Sequence, residues 1–267
     1  MNSSVTTWGI GDYPLMGRSL QPVSVAAVDA AAVAPGDRVV DIATGTGNAA
    51  LLAAERGGRV VGIDFEKGLL RVAEERAHAV GADVEWRWGG LEALPLADQS
   101  ADVVLSVFGV MYATDHAIAA RELARVAAPG ARVVLASWVP GSLLPAMGQV
   151  LSVYLPPPPA GNGPPGRWGD PAALVGMLEP HGLQLTAASP SRITLPFASS
   201  EEAADFLIRT AGHVVSEQGR LTAEGRWDAL RRDLRRFVEQ RAESRGGLLG
   251  LPLDYLLASA IRAPESR

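Results

Sequence analysis

The chain has 267 residues, of which 48% are hydrophobic and 20% charged, and its formal net charge at pH 7 is −5. This length suits one large α/β domain or a domain with a lid, and the acidic balance argues against a nucleic-acid partner. Cysteine is absent, which excludes disulfides, thiol nucleophiles and cysteine-ligated metal sites. The sequence has no run of about twenty apolar residues and no leader-like N-terminus, so we expect a cytoplasmic protein without a membrane partner.

Strand and helix signals alternate from Pro22 to Trp138. The predicted strands are RVVDIA (38–43), RVVGID (59–64), DVEWRW (83–88), ADVVLSVF (101–108) and ARVVLASW (131–138). The predicted helices are PVSVAAVDAAAV (22–33), NAALLAAER (48–56), KGLLRVAEERAHAV (67–80) and HAIAARELARVA (116–127). Thr114 or Asp115 is the expected N-cap of the last helix. This alternation predicts an α/β fold with a Rossmann-like, doubly wound parallel sheet.

The alternation stops after Trp138. A loop rich in proline and glycine, 155–170, is either a linker or part of a lid. A helix (171–182), a strand (183–189), two helical stretches (200–215 and 223–243) and a last strand (254–262) are predicted to follow. The stretch 199–245 is longer than an ordinary connection and is interpreted as a helical cap. We therefore expect an N-terminal helical segment (1–36), a cofactor-binding core (37–138) and a remainder (139–267) that carries the cap.

The turn after the first strand has a nucleotide-binding spacing. Gly45, Gly47 and Ala50 fit the pattern G-x-G-x-x-G/A, and Asp64 ends the second strand about twenty residues later, where an acid binds ribose hydroxyls. These features fit NAD as well as other adenosine cofactors. Asp41, just before the turn, distinguishes them, because a carboxylate there repels a pyrophosphate and favours a cationic ligand. S-adenosylmethionine is cationic and carries a ribose diol but no phosphate, so it is the expected cofactor.

Four segments then carry a resemblance. VVDIATGTGNAALLA, VVGIDF, GGLEALPLADQSADVVLSVF and ELARVAAPGARVVLASW resemble the successive motifs of class I S-adenosylmethionine-dependent methyltransferases. The similarity is greatest to the bacterial small-molecule type (methyltransferase type 11) related to ubiquinone and menaquinone methyltransferases, and it covers residues 37–138. It implies a seven-stranded sheet with helical insertions whose last strand is antiparallel, a strand that residues 254–262 can supply. It also implies S-adenosylhomocysteine as product.

The resemblance implies cofactor contacts at the ends of the first four strands. The implied contacts are Ala43, Thr44, Gly45 and Gly47 around the methionine part, Asp64 on the ribose, Phe65 on an adenine face, the Leu91 amide on adenine, and Ser106 and Val107 at the amino-acid end. Gly90 departs from the family, which has an Asp there that accepts from the adenine amino group. That bond is then lost, or supplied by water or backbone. Asp41 could instead cap the turn, Asp64 lie on the surface, and Phe65 lie in the core.

The acceptor is expected beyond the carboxyl ends of the strands, where open α/β sheets bind ligands. Tyr13, in an irregular N-terminal stretch, is predicted to donate its hydroxyl to the cofactor carboxylate, or else to pack in the interior. If a general base is used, the predicted residue is His213 in the cap, with His116 as a weaker candidate. Tyr112 is a second candidate, for orienting the acceptor.

Aromatic and apolar side chains predict a hydrophobic or aromatic acceptor of specialised metabolism, such as natural-product biosynthesis. The expected pocket residues are Phe108, Met111, Tyr112, Trp138 and Trp168, any of which could equally be core. The segment SVFGVMYATDH has no N-P-P-Y-type motif and no acidic metal ligands, so neither methylation of nucleic-acid bases nor a metal is expected. The alternatives are an NAD(P)-dependent oxidoreductase, although no Tyr is followed by Lys four residues on, and an S-adenosylmethionine-binding protein without methyl transfer.

Overall fold

A computed structural model describes residues 9–157 and 164–264. The α-helices are α1 (Tyr13–Ser19), α2 (Gln21–Ala30), α3 (Asn48–Glu55), α4 (Lys67–Val80), α5 (His116–Val126), α6 (Leu143–Leu151), α7 (Pro171–Leu178), α8 (Ser200–Thr210), α9 (Gly212–Val215), α10 (Gln218–Ala223) and α11 (Trp227–Arg241). The strands are β1 (Arg38–Ile42), β2 (Arg59–Asp64), β3 (Val84–Trp88), β4 (Ala101–Val107), β5 (Ala127–Trp138), β6 (Leu183–Phe197), β7 (Glu243–Arg245) and β8 (Leu248–Arg262). Short 3-10 helices cover Val110–Tyr112, Pro165–Gly169 and Glu179–His181.

The strands form one sheet in the order β3-β2-β1-β4-β5-β8-β6, and β7 pairs with β8. Strands β1 to β5 pair in parallel, whereas β8 runs antiparallel to β5. The Rossmann-like sheet with an antiparallel last strand is confirmed. Within the described residues it has eight strands rather than the expected seven, because the three residues of β7 pair with the first residues of β8, Glu243 lying opposite Gly250.

The chain divides into two compact units. The first, here called the core unit, comprises Leu20–Pro140, Ala160–Ser191 and Tyr255–Arg267. The second, called the cap unit, comprises Met1–Ser19, Gly141–Pro159 and Arg192–Asp254. The predicted N-terminal segment 1–36 is thus shared, since α1 belongs to the cap unit and α2 to the core unit.

Small side chains let helices lie close to the sheet in the core unit. Alanines of α2 and α3 pack on valines and leucines of β1, β2, β4 and β5. The fully or nearly fully buried members of this cluster include Ala27, Ala31, Ala49, Ala50, Ala53, Val39, Val103, Leu105 and Val134. Alanine has the highest helix propensity and fills little space. This tightly packed cluster therefore supports both β1 and α3, the two elements that the turn joins.

Helices make up most of the cap unit. Helix α11 buries Leu230, Leu234, Phe237 and Val238, and it packs against α6, α8 and α10. At the other end of α8, the Asp12 amide donates to the Arg209 carbonyl at 2.8 Å, and the two side chains form an ion pair at 2.8 Å. Among the described residues, no helix is both long and apolar enough to cross a bilayer.

Several elements differ from the sequence prediction for identifiable reasons. Tyr13 begins a helix rather than lying in an irregular stretch, because the Asp12 carboxylate accepts from the Leu15 amide at 3.2 Å and Pro14 is tolerated in a first turn. Helix α6 was not predicted, since its sequence contains Pro145 and Gly148, residues that usually interrupt helices. Strand β6 has 15 residues instead of seven; it lies at an edge of the sheet, where proline is accepted. Residues 158–163 of the predicted loop lie outside the described residues.

Candidate cofactor-binding site

The turn between β1 and α3 is fixed by backbone conformation and by close contacts. Gly45 and Gly47 have φ angles of +57° and +81°, which favour glycine. A Cβ atom on Gly47 would lie 2.8 Å from the Trp86 ring. A Cβ on Gly109, which follows β4, would lie 2.4 Å from the Cβ of Ala43, a residue that itself has a φ of +55°. The segments after β1 and β4 therefore meet with no room for another side chain.

Asp64, at the end of β2, binds the same turn. Its Oδ2 accepts a hydrogen bond from the Gly45 amide at 2.8 Å, and its Oδ1 accepts from the Glu66 amide at 2.8 Å. The residue is only 5% exposed, and burial raises the pKa of its carboxyl while these two bonds oppose the rise. Asp64 is therefore not a surface residue. Each oxygen has a second lone pair, so the carboxylate can also accept bonds from a ribose diol.

Asp41 lies against the first turn of α3. It is 2% exposed, and its Oδ2 accepts from the Thr44 hydroxyl at 2.6 Å and from the Ala50 amide at 3.0 Å. Burial raises the pKa of Asp41 to about 7, the two hydrogen bonds oppose that rise, and the charge of Asp64 adds to it. The Asp41 carboxyl already occupies the Ala50 amide at a helix terminus that would otherwise attract a phosphate. This arrangement fits S-adenosylmethionine, which has no phosphate, better than a dinucleotide.

Ser106 and Val107 end β4 beside the turn. Ser106 is fully buried; its hydroxyl donates to the Ile42 carbonyl at 2.8 Å and accepts from the Val110 amide at 3.0 Å. These bonds join β1 to the segment after β4. The Ser106 side chain thus has a structural role, and Val107 is half-buried beside it. Their contact with the amino-acid end of the cofactor stays a prediction.

Two aromatic rings are exposed where β2 and β3 end. Phe65 is 37% exposed and Trp88 is 62% exposed. The Trp88 indole donates to the Phe65 carbonyl at 2.8 Å, and the Lys67 ammonium lies 5.2 Å from the Trp88 ring. The alternative that Phe65 belongs to the core is therefore wrong. Its ring is free to pack on a flat ligand next to Asp64.

The turn after β3 contains Gly90 and Leu91. Gly90 forms an isolated β-bridge with Ala93, which places Leu91 at the tip of the turn, half-buried. Leaving out positions 89–91, the described part of the chain has one atom within 4 Å of the position that a Cβ on Gly90 would take, Oε2 of Glu92 at 3.9 Å. The sequence pattern alone predicts no role for Glu92.

A stacked aromatic group lies where β4, β5 and β8 meet. The Phe108 and Trp138 rings stack with centroids 3.6 Å apart, and Tyr255 meets Phe108 edge-on at 5.8 Å. Trp138 also forms a side-chain hydrogen bond with Tyr112, while burial of the Tyr112 hydroxyl raises its pKa to about 12. Phe108, Met111, Trp138 and Trp168 are all buried, so they form core. Of the predicted pocket residues, Tyr112 alone is exposed, at 42%, and its hydroxyl remains a donor at neutral pH.

The histidines differ in environment. His116 is 3% exposed, and its Nδ1 has no hydrogen-bond partner among the described residues. Its ring meets buried Trp168 edge-on at 5.9 Å. Burial lowers the pKa of His116, the charge of Arg167 lowers it further, and Asp115 and Glu92 oppose the change.

Tyr13 and His213 both lie in the cap unit. Their segments meet where a Cβ on Gly11 would lie 2.8 Å from the Gly212 nitrogen. His213 keeps exposed surface, but the surrounding atoms desolvate the ring enough to lower its pKa. The two residues therefore belong to segments that meet within one unit, and their roles toward the cofactor and acceptor stay predictions. The described part of the chain contains no cluster of three His, Asp or Glu side chains arranged to hold a metal.

Comparison with known proteins supplies the family. A family model described as "Methyltransferase domain" matches residues 40–135. An uncharacterized protein of Mycobacterium tuberculosis is 32% identical over 210 residues, which are 78% of this chain and 77% of that protein. A demethylmenaquinone methyltransferase of Thermus thermophilus is 40% identical over 130 residues, which are 48% of this chain and 59% of the enzyme.

A solved S-adenosylmethionine-dependent methyltransferase from Methanosarcina mazei has a similar fold, with a TM-score of 0.54, 16% identity, and coverage of 86% of this chain and 94% of that one. A further Mycobacterium tuberculosis relative is 37% identical, and the chain spans 63% of its length. The carboxyls of Asp41 and Asp64 accept from the Ala50 and Gly45 amides, which a phosphate would otherwise bind. Together with these similarities, that geometry favours S-adenosylmethionine over NAD(P) as cofactor. The chain belongs to the class I S-adenosylmethionine-dependent methyltransferases.

Proposed function

We propose that this chain transfers a methyl group from S-adenosylmethionine to a small organic acceptor, hydrophobic or aromatic in character, in specialised metabolism. The observation that carries the proposal is the pair of buried carboxylates, Asp41 and Asp64, on either side of the glycine turn. They occupy the Ala50 amide on α3 and the Gly45 amide in the turn, which a phosphate would otherwise bind, and they offer hydrogen-bond acceptors to a cationic nucleoside. The name of the Thermus thermophilus relative, a demethylmenaquinone methyltransferase, supports an organic acceptor.

The proposed division of labour follows from the residues. Asp64 holds the ribose hydroxyls, Phe65 packs on the adenine, and the turn at Gly45 surrounds the methionine part. When bound, S-adenosylmethionine supplies a methyl group on a positively charged sulfur, which is a good leaving group. What the protein adds is alignment with the acceptor and exclusion of water. Asp41 stabilises the positive charge before transfer.

We assign the acceptor side to Tyr112 and His213. The Tyr112 hydroxyl keeps its proton well above neutral pH, so it acts as a hydrogen-bond donor that orients the acceptor. The lowered pKa of His213 leaves its ring neutral at pH 7, in the form that accepts a proton from an acceptor hydroxyl or amine. Tyr13 donates to the cofactor carboxylate.

Calorimetric titration with S-adenosylmethionine, S-adenosylhomocysteine and NADH tests the cofactor. We expect micromolar binding of the first two ligands and none of NADH; binding of NADH alone would overturn the proposal. Incubation with methyl-labelled donor and a panel of phenols, quinols and amines then tests transfer. Binding without labelled product from any acceptor class would favour the alternative of a cofactor-binding protein without methyl transfer.

Asp41→Asn tests the charge argument in the same titration. The variant keeps an oxygen for Thr44 and Ala50 but loses the negative charge. We expect it to weaken S-adenosylmethionine binding about tenfold and S-adenosylhomocysteine binding much less, because only the former carries a sulfonium. Glu75→Asn, an exposed position on α4, is the control. Equal loss for both ligands would contradict a role in recognising the sulfonium.

A further inference from the structure

Glu92 is held in place by the start of α5. Its Oε1 accepts from the Thr114 amide at 2.6 Å and from the Asp115 amide at 3.3 Å. Asp115 in turn caps α5 by accepting from the amides of the helix's first turn. One oxygen of the Glu92 carboxylate is thus fixed by two backbone donors. The other oxygen, Oε2, is then held in a defined position.

That position is next to the gap left by Gly90. A Cβ atom at position 90 would lie 3.9 Å from Oε2, and no other atom of the described residues outside positions 89–91 would lie within 4 Å of it. Among the described residues, no hydrogen bond ends on Oε2 of Glu92. Glu92 is two residues further along the chain than Gly90. Its Oε2 atom therefore lies near the position that a carboxylate on residue 90 would occupy.

This position lies close to Asp64 and Phe65, the residues proposed above to hold the ribose and the adenine. The turn at Gly90 and Leu91 follows β3, and β3 pairs with β2, with Trp88 opposite Asp64. Phe65, next to Asp64, offers an exposed ring on which a base can stack. Adenine presents an amino group that donates hydrogen bonds, whereas hypoxanthine presents a carbonyl oxygen at the same position. A carboxylate oxygen accepts from the first and repels the second.

We propose that Glu92 replaces the missing side chain at position 90 as the acceptor for the adenine amino group, and thereby sets the preference of this site for adenine over hypoxanthine. This inference rests on the proposed function, because it takes the bound ligand to be S-adenosylmethionine or its product. Gly90 is part of the same arrangement, since a larger side chain there would stand between Oε2 and the base. Glu92 is in this sense a specificity-determining residue.

The test compares two ligands on three variants. The ligands are S-adenosylhomocysteine and its analogue with hypoxanthine in place of adenine, and the readout is the ratio of their dissociation constants. We expect the full chain to prefer the adenine ligand by at least about tenfold. In Glu92→Gln the amide oxygen can keep the bonds to Thr114 and Asp115, which places the amide NH2 at the former Oε2. That variant should lose the preference or reverse it.

A double variant, Gly90→Asp with Glu92→Gln, should restore the preference for adenine, because position 90 has room for a carboxylate. Glu75→Gln, the same chemical change on an exposed face of α4, should leave the ratio unchanged. Thermal unfolding verifies that each variant is folded. An unchanged ratio in Glu92→Gln overturns the inference, as does a full chain that binds both ligands equally well. If the full chain binds neither ligand, the proposed function itself fails.

Discussion

Replacing Asp41 with asparagine removes a buried charge while keeping an oxygen where Thr44 and Ala50 donate. Burial raises the pKa of Asp41 from 3.8 to about 7. Between these two pH values the folded protein binds more protons than the unfolded chain, so the free energy of unfolding falls as pH rises through this window. The whole loss amounts to about 4 kcal/mol, at about 1.4 kcal/mol per pH unit. Asparagine does not titrate, so the free energy of unfolding of the variant does not fall in this way as pH rises.

The expected result is a stability difference that depends on pH. The free energy of unfolding of Asp41→Asn, minus that of the unchanged protein, should rise from pH 4 to pH 7 and level off above. Urea unfolding followed by tryptophan fluorescence at pH 5, 6, 7 and 8 measures it. A difference that stays constant over this range, or that falls as pH rises, would refute the reasoning.

Asp102→Asn is the matched control. The Arg38 guanidinium beside Asp102 lowers the pKa of that carboxyl to about 2, and its usual value is 3.8. Both values lie below pH 5, so the stability difference caused by this substitution should be independent of pH between 5 and 8. The contrast between the two Asp→Asn variants separates the effect of burial from that of removing any carboxylate.

Three further results are expected. Asp64→Asn should abolish measurable cofactor binding in calorimetry while circular dichroism shows an intact fold; normal affinity would rule out the ribose contact. Gly109→Ala should lower the free energy of unfolding by about 1–3 kcal/mol, because its new methyl group meets Ala43, and an unchanged urea midpoint would contradict this. Burial lowers the pKa of His116, so the unfolded chain takes up the proton at higher pH and stability is lost as pH falls below about 6.5. In His116→Gln the loss of stability between pH 7 and 5 should be smaller. If urea unfolding gave the same decrease in the free energy of unfolding for both proteins over this range, the prediction would be wrong.

The sequence predicted the core unit well because its signals are local. Strands β1, β2, β4 and β5 contain valine-rich apolar runs, β3 alternates apolar and charged residues, and the Asp115 cap is visible in the chain itself. The positions of Asp41 and Asp64 could be predicted as well, since the carboxyl ends of neighbouring parallel strands meet at one edge. Their hydrogen bonds to the turn then depend on a few residues of chain.

Other features depend on contacts that cannot be inferred from local sequence patterns. Proline and glycine hid α6, and β6 extends through two prolines because it lies at an edge of the sheet. The position of Glu92 is set by the amides of Thr114 and Asp115, more than twenty residues away. Its relation to Gly90 follows from a fold in three dimensions, and no spacing rule along the sequence encodes it.

The cap unit is built from segments that are far apart in the sequence, so its parts are synthesised at different times. Asp12 and Arg209, which form an ion pair there, are 197 residues apart in the chain. At a synthesis rate of about 5–20 residues per second, Asp12 is added to the chain about 10–40 s before Arg209. The β1–β5 part of the sheet is complete much earlier, and it joins segments that are close in sequence. Newly made chains should therefore carry a formed β1–β5 sheet while the cap unit is still incomplete, and we expect a chaperone to bind them mainly during this interval.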